Sequence, residues 1–420
     1  MAQLSSLILT VLLLQSPALD STSPKERRDA VERMSAPGKT ENVAPLGEAL
    51  KKEPRSDMRA AIVAGLARIG GREVVPILTA SLTSDLDKEV RLQVVDSLQH
   101  LYIPMDSPGA IRTVFDKVKS VFLAPDRPVV QNAARVDPAV NAALAEAMQK
   151  DPIQEVRAAA ARALGSLKAK DRISVMISTL ENPQNQEHPE VRVEIVESLG
   201  LIRDVAAGPA LARAAKDNDR RVAHAAILSV GFVAYKDARP ALEDIFRTDR
   251  SKESRRRAIE AIALLRDPAA LTFFESLLGH SEDYYREMAA EGLARIDHDP
   301  GVLKTRYETE RKAGVRNALA FGLVSADQDQ YFNDLANALL TRQDFQAESY
   351  IFELGKFEGK LPEIHRYLRS ENPRVRALMA RISGNIGDPS SRPLIQELTM
   401  DKDAEVKHEA IAALRKLTAL

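Results

Sequence analysis

The sequence predicts an all-α fold, an α-solenoid built from stacked helical pairs. Three observations predict it. A short phrase centred on arginine returns at near-constant intervals, apolar residues follow each copy at helical spacing, and a proline recurs at a fixed distance behind several copies. The composition agrees. Hydrophobic residues make up 45% of the 420 residues but aromatics only 5%, so Ala, Leu, Val and Ile must fill the interior. Small aliphatic side chains suit closely packed helices. No segment shows a strand pattern of comparable strength. Ordinary globular material of this length would make about three domains. A repeat of this period replaces them with one elongated body, expected over residues 19–420.

The chain opens on an apolar run, Leu4 to Leu14, interrupted only by Ser5, Ser6 and Thr10. A bilayer span needs about 20 residues. The run instead fits the apolar core of a secretory signal, and Ser16-Pro17-Ala18 supplies small residues for cleavage after Ala18. Residues 1–18 are therefore expected to be a signal peptide, although Met1-Ala2-Gln3 carries no basic residue. The expected location is exported, periplasmic or secreted, with the cytoplasm as the alternative.

The repeat begins weakly at Arg27. It stands clearly at Met58-Arg59, Val90-Arg91, Val156-Arg157, Val191-Arg192, Val315-Arg316, Val375-Arg376 and Val406-Lys407. Looser copies are Val222-Ala223, Arg255-Arg256 and Tyr285-Arg286. The steps are 32, 32, 66, 35, 31, 33, 30, 30, 60 and 31 residues, with Arg256 taken for the loosest copy. The 66 and the 60 are each expected to hide one degenerate unit, the second near Tyr350. About 12 to 13 pairs result. In the first helix of a pair, Val156, Ala159, Ala160, Ala163, Leu164 and Leu167 form one continuous stripe. Leu recurs seven residues after the arginine, as at Leu66, Leu98, Leu164 and Leu199. Gly often follows, as at Gly165, Gly200, Gly231 and Gly384, either to let helices approach or to end the helix. The second helix opens near a proline 17 residues after the arginine position, at Pro76, Pro209, Pro240 and Pro393. Proline in a first turn loses no hydrogen bond. Two stretches break the pattern. Residues 101–138 carry Pro104, Pro108, Pro125, Pro128 and Pro138 around one predicted helix, Ala110 to Phe122, and Glu181 to Glu190 lengthens its unit.

Glu155–Gly165 (EVRAAAARALG), Glu190–Gly200 (EVRVEIVESLG) and Asp57–Gly70 (DMRAAIVAGLARIG) resemble HEAT repeats, specifically the short bacterial type of phycobilin lyases. The resemblance implies a right-handed superhelix whose second helices line a concave face. It implies a non-catalytic scaffold that binds a protein partner along that face. The alternative it leaves open is a partner-dependent enzyme or regulatory subunit, a lyase-like HEAT protein.

Chemistry is constrained from several sides. Without cysteine there are no disulfides, thiolate zinc sites or cysteine nucleophiles. With 59 basic and 60 acidic residues the net charge is −1, which gives no global field for nucleic acid. Deoxyhypusine hydroxylases of this fold hold a di-iron centre through four His-Glu dipeptides, and this chain has one, His408-Glu409. The basic cluster Arg250, Lys252, Arg255, Arg256 and Arg257 is interrupted by Asp249 and Glu253 and reads as a solvated face. His298 between Asp297 and Asp299 precedes Pro300 and reads as a capping turn. No catalytic residue, metal site or cofactor is expected.

Candidate partner-binding residues are the second-helix positions Arg213, Glu243, Glu275, Arg306 and Arg366 and the aromatics Tyr284, Tyr331 and Tyr367. Arg59, Arg91, Arg157, Arg192, Arg316 and Arg376 are expected to be structural, paired with acidic groups or helix-end carbonyls of neighbouring units. The partner is expected to be protein, with no nucleic acid. No transmembrane segment remains after signal removal, and the chain alone is expected to be a monomer.

Overall fold

The computed structural model describes residues 19–103 and 133–419. The expected signal peptide and the predicted helix within 101–138 lie outside the described residues. Among the described residues there are 23 α-helices and no strand. They alternate as first and second helices, joined by a short 3-10 turn such as Arg72–Val74 or Pro389–Ser391. Local chemistry sets the boundaries. Asp87 caps its helix by accepting from the N–H groups of Glu89 and Val90, and Asn372 accepts from Arg374. Pro76 and Pro393 sit in first turns, as their spacing predicts. Gly387, at φ 80°, ends the helix Pro373–Ile386 in the left-handed region that suits glycine.

The described chain forms two compact units, residues 19–103 with 133–229, and residues 230–419. In the first unit the first helices are Pro24–Met34, Ser56–Ile69, Lys88–His100, Gln154–Ser166 and Pro189–Ile202, each packed on the next. The second helices Val43–Lys52, Val75–Ser84, Pro138–Lys150, Ile173–Leu180 and Gly208–Ala214 form the other layer. This order corrects one expectation. The 66-residue step does not hide a separate unit in the stack. Lys88–His100 packs directly on Gln154–Ser166, and Val75–Ser84 directly on Pro138–Lys150. The extra residues fall in sequence between Lys88–His100 and Pro138–Lys150, and both layers of helices continue across that point.

The second unit contains the first helices Lys252–Leu265, Asp283–Leu293, Ala313–Ser325, Asp344–Leu354, Pro373–Ile386 and Ala404–Ala419. The 60-residue step does hide a pair: Asp344–Leu354, with Tyr350 inside it, and Leu361–Tyr367. Side chains in this unit reach past their immediate neighbours. Gln346 Nε2 donates to Glu287 Oε1 at 3.0 Å, and Tyr350 Oη donates to Glu291 Oε1 at 2.6 Å. Arg266 Nη2 reaches Glu353 at 3.1 Å. First helices and the turns at their ends make those contacts, and Gln346 Nε2 also reaches the carbonyl of Gly314 on the intervening helix at 3.2 Å.

The core follows the predicted stripe. Leu66, Leu98, Leu164, Leu199 and Leu323 are fully buried, each worth about 1.5–3 kcal/mol of transfer free energy. The glycine that follows the leucine serves close approach. A Cβ on Gly165 would stand 2.6 Å from Ser198 Cβ and 2.8 Å from its Cα, and one on Gly384 would stand 2.6 Å from Ala413 Cα.

Candidate interaction surface

The repeated arginine builds a ladder along the stack. Arg59 Nε and Nη2 donate to Asp85 at 2.7 and 2.9 Å, while Nη1 donates to the Glu53 carbonyl at 3.3 Å. Arg91 repeats this with Asp151 at 2.7 and 2.9 Å and the Asp85 carbonyl at 2.9 Å. Arg376 does so with Asp401 at 2.8 and 2.9 Å and the Ser370 carbonyl at 2.7 Å. The acid of each rung does three things at once. Asp85 accepts from the previous unit's Arg59, offers its carbonyl to its own unit's Arg91, and takes the Asp87 N–H at 2.9 Å. Arg192 is held by Asp217 at 2.5 Å. Arg316 donates to the carbonyls of Tyr307 and Glu310 and lies 4.0 Å over the Tyr307 ring. Arg157 keeps only its carbonyl contacts, to Asp151 at 2.8 Å and Pro152 at 3.4 Å.

Sequence reasoning missed the acids, although their signal is present. Glu53, Asp85, Asp151, Asp217, Asp249, Glu310 and Asp401 each stand six residues before a ladder position. It also chose the wrong arginine in one unit. Arg255, not Arg256, reaches the carbonyl six residues back, at Asp249, while Arg256 lies over the Tyr284 ring. In the Arg286–Glu310 rung, burial works against the carboxylate charge. The Arg286 guanidinium and the N–H groups of Lys312 and Arg311 outweigh it and bring the carboxyl to about 2.

The eight candidate contact residues fall into three environments. Tyr284 is only 4% exposed and donates to Glu260, so it does not reach the surface. Glu243, Arg213 and Arg306 are held in ion pairs with Arg239, Glu181 and Glu310 respectively, of which only the Arg213–Glu181 pair is exposed on both sides. Tyr331, Arg366, Tyr367 and Glu275 lie on or beside second helices of the second unit and remain half-buried or exposed. The tyrosines belong to a larger aromatic band. Tyr331 meets Tyr307 edge-on at 5.0 Å, and Tyr367 packs against Phe332 at 5.1 Å, its hydroxyl 3.3 Å from Asn333 Oδ1. Phe246 and Phe273 continue it on the earlier second helices, 5.3 Å apart. Arg366 lies over Tyr367 at 5.1 Å. Partial burial, and then the nearby Asp334 charge, raise the Tyr307 hydroxyl above its ordinary value.

The first-helix face of the same unit is occupied by its own polar cluster. Arg295 binds Glu353 through two bonds of 2.8 and 2.6 Å and donates to the Glu291 carbonyl at 2.7 Å. Burial raises the Glu291 carboxyl to about 8, although Arg295 opposes it. In the first unit, a groove of about 510 Å³ runs between Val75–Ser84 and Pro138–Lys150, lined by Pro76, Thr79, Ala80, Ala139 and Ala142.

No group of three or more His, Asp or Glu side chains able to hold a metal occurs among the described residues. His298 bonds the Ile296 carbonyl, and Asp299 caps the following helix by accepting from Gly301. Among the described residues, no helix is long and apolar enough to cross a membrane.

Residues 14–99, 184–256, 240–324 and 348–419 match the family of HEAT repeats. The chain belongs to the HEAT-repeat family. No curated protein matches it. Among solved structures this HEAT-repeat chain is similar to human deoxyhypusine hydroxylase in complex with glycerol, at 15% identity and a TM-score of 0.29, covering 82% of this chain and 96% of that one. It is similar to Kap95p bound to RanGDP, at 14% identity and a TM-score of 0.47, covering 96% of this chain and 61% of that one. It is also similar to Kap121p, at 13% identity and a TM-score of 0.42, covering 95% and 48%.

Proposed function

We propose that the chain is a non-catalytic scaffold that binds a protein partner on the second-helix face of residues 239–398. One observation carries this reading. In that unit the first-helix face is closed over its own ion pairs, whereas the second-helix face presents a row of half-buried aromatic rings, Phe246, Phe273, Tyr307, Tyr331 and Tyr367, with Arg306 and Arg366 beside them. Rigid aromatic rings next to arginine are the residue types that anchor partners, because they desolvate large area at little entropic cost. The row is spread over successive repeats, so it suits an extended segment of protein.

The test is cross-linking capture from the native organism with the wild-type chain and a Tyr331→Ala, Arg366→Ala, Tyr367→Ala triple variant. A partner held by the wild type should fall at least about tenfold with the variant, since truncating a few anchors costs more than about 1.4 kcal/mol. The melting curve should change little. Capture of nothing, together with turnover of a metabolite, would sink the scaffold reading.

Export belongs to the same proposal and rests on the Leu4 to Leu14 run and the Ser16-Pro17-Ala18 site. N-terminal sequencing of the mature protein tests it. Intact Met1 in a cytoplasmic fraction would defeat it.

A further inference from the structure

Among the rungs that depart from the bidentate pattern, Arg157 is the most buried. Arg157 is 2% exposed, and its Nε and Nη2 have no hydrogen-bond partner among the described residues. On Arg59, Arg91, Arg286 and Arg376 the same two nitrogens grip a carboxylate. The reason is in the sequence. The acid of a rung stands six residues before the next ladder arginine, and before Arg192 that position is Gln186, whose amide oxygen accepts from Arg192 Nη1 at 3.1 Å. The other acid in reach along the chain, Glu181, lies 24 residues after Arg157, the separation of the Arg286–Glu310 rung. It is turned outward to Arg213. Neighbouring acids are also engaged, Asp151 by Arg91 and Asp217 by Arg192.

A guanidinium stays charged at every accessible pH, so it cannot escape burial by losing its proton. A buried charge without a counter-charge costs several kcal/mol, and water would satisfy the donors without supplying that charge. We infer that the Nε and Nη2 edge of Arg157 binds a small monovalent anion of the carboxylate or halide class, which completes the rung that Gln186 leaves without an acid. The planar two-donor edge matches a carboxylate in geometry. The depth of the side chain selects for size, because an acidic residue of a partner protein cannot reach a group with 2% exposure. Burial also presses the Arg157 proton affinity down, with Asp151 and Glu155 only partly offsetting it, as expected where a counter-charge is needed.

The test uses the full chain. Formate is titrated at constant ionic strength held with gluconate, which is too bulky for the site. The wild-type melting temperature should rise saturably by about 2–4 °C. Arg157→Gln should abolish the rise, and Gln186→Glu should reduce it by supplying an acid at the rung. An equal rise in Arg157→Gln, or none in the wild type, would overturn the inference. If Arg157→Gln does not fold, crystals of the wild type grown in bromide decide the matter. An anomalous peak within hydrogen-bond distance of Arg157 Nε or Nη2 is expected, and an ordinary water there would refute the anion.

Discussion

Asp151 shows how one side chain can hold two repeats. It accepts from Nε and Nη2 of Arg91, gives its carbonyl to Arg157, and caps the turn through the Ile153 N–H. Asp151→Asn keeps the shape and removes the charge that Arg91 faces at 7% side-chain exposure. Urea unfolding should show a loss of about 3–5 kcal/mol, because a buried guanidinium is left without its counter-charge. Arg213→Ala, which breaks an exposed pair with Glu181, should cost no more than about 1 kcal/mol. Glu291 gives a pH signature of the opposite kind to Glu310. Its folded-state value, about 8, stands above the ordinary 4.5, so the folded chain holds this proton more tightly than the unfolded chain. The resulting stabilisation is complete below about pH 4.5 and is lost as pH rises through about 8. Glu291→Gln cannot ionise and should remove this term. Between pH 6 and pH 9, the wild type should lose more stability than the variant when both are followed by denaturant unfolding.

At the scale of the helix, the decisive feature is how closely first helices stack. Gly165 faces Ser198, and Gly384 faces Ala413, at distances no Cβ could occupy without displacing backbone. Gly165→Leu should destabilise by at least about 1–3 kcal/mol through overpacking. Gly279, which has nothing within 4 Å of a built Cβ, should accept alanine within about 0.5 kcal/mol. Both can be read from melting or urea midpoints. The sequence left two roles open for the recurring glycine. Only the neighbouring helix, brought in by tertiary packing, shows which applies. The aromatic doublets teach the same lesson. Phe274 and Phe332 are buried while Phe273 and Tyr331 are half-exposed. Tyr284 and Tyr285 are both buried, because one turns toward Glu260 on the preceding first helix and the other toward Phe246 and His280.

Over the molecule, each unit is a stack in which a helix touches its sequence neighbours and little else, apart from the longer-range polar contacts in residues 266–353. Stability in such arrays is close to a sum of repeat and interface terms. Leu164→Asp places a charge in a fully buried site of the first unit. Hydrogen exchange should show protection lost in Lys88–His100, Gln154–Ser166 and Pro189–Ile202, and largely kept in Pro24–Met34. Uniform loss across the unit would contradict nearest-neighbour stacking.

The sequence by itself determined the all-helical repeat, its period, its buried leucine stripe, the proline that opens second helices and the HEAT resemblance. These are local or strictly periodic properties, and periodicity survives projection onto a linear chain. Tertiary structure alone decided which positions close the gaps between periods. It showed that both layers of helices continue across the long step, because only packing reveals that Lys88–His100 and Gln154–Ser166 are neighbours. It brought first helices two repeats apart into contact in the second unit, as at Tyr350 and Glu291, because that depends on small angles accumulated between repeats. The Gln186 that stands where the acid of the Arg157 rung belongs is legible in the chain. That no other acid compensates, Glu181 being turned to Arg213, is decided only by packing.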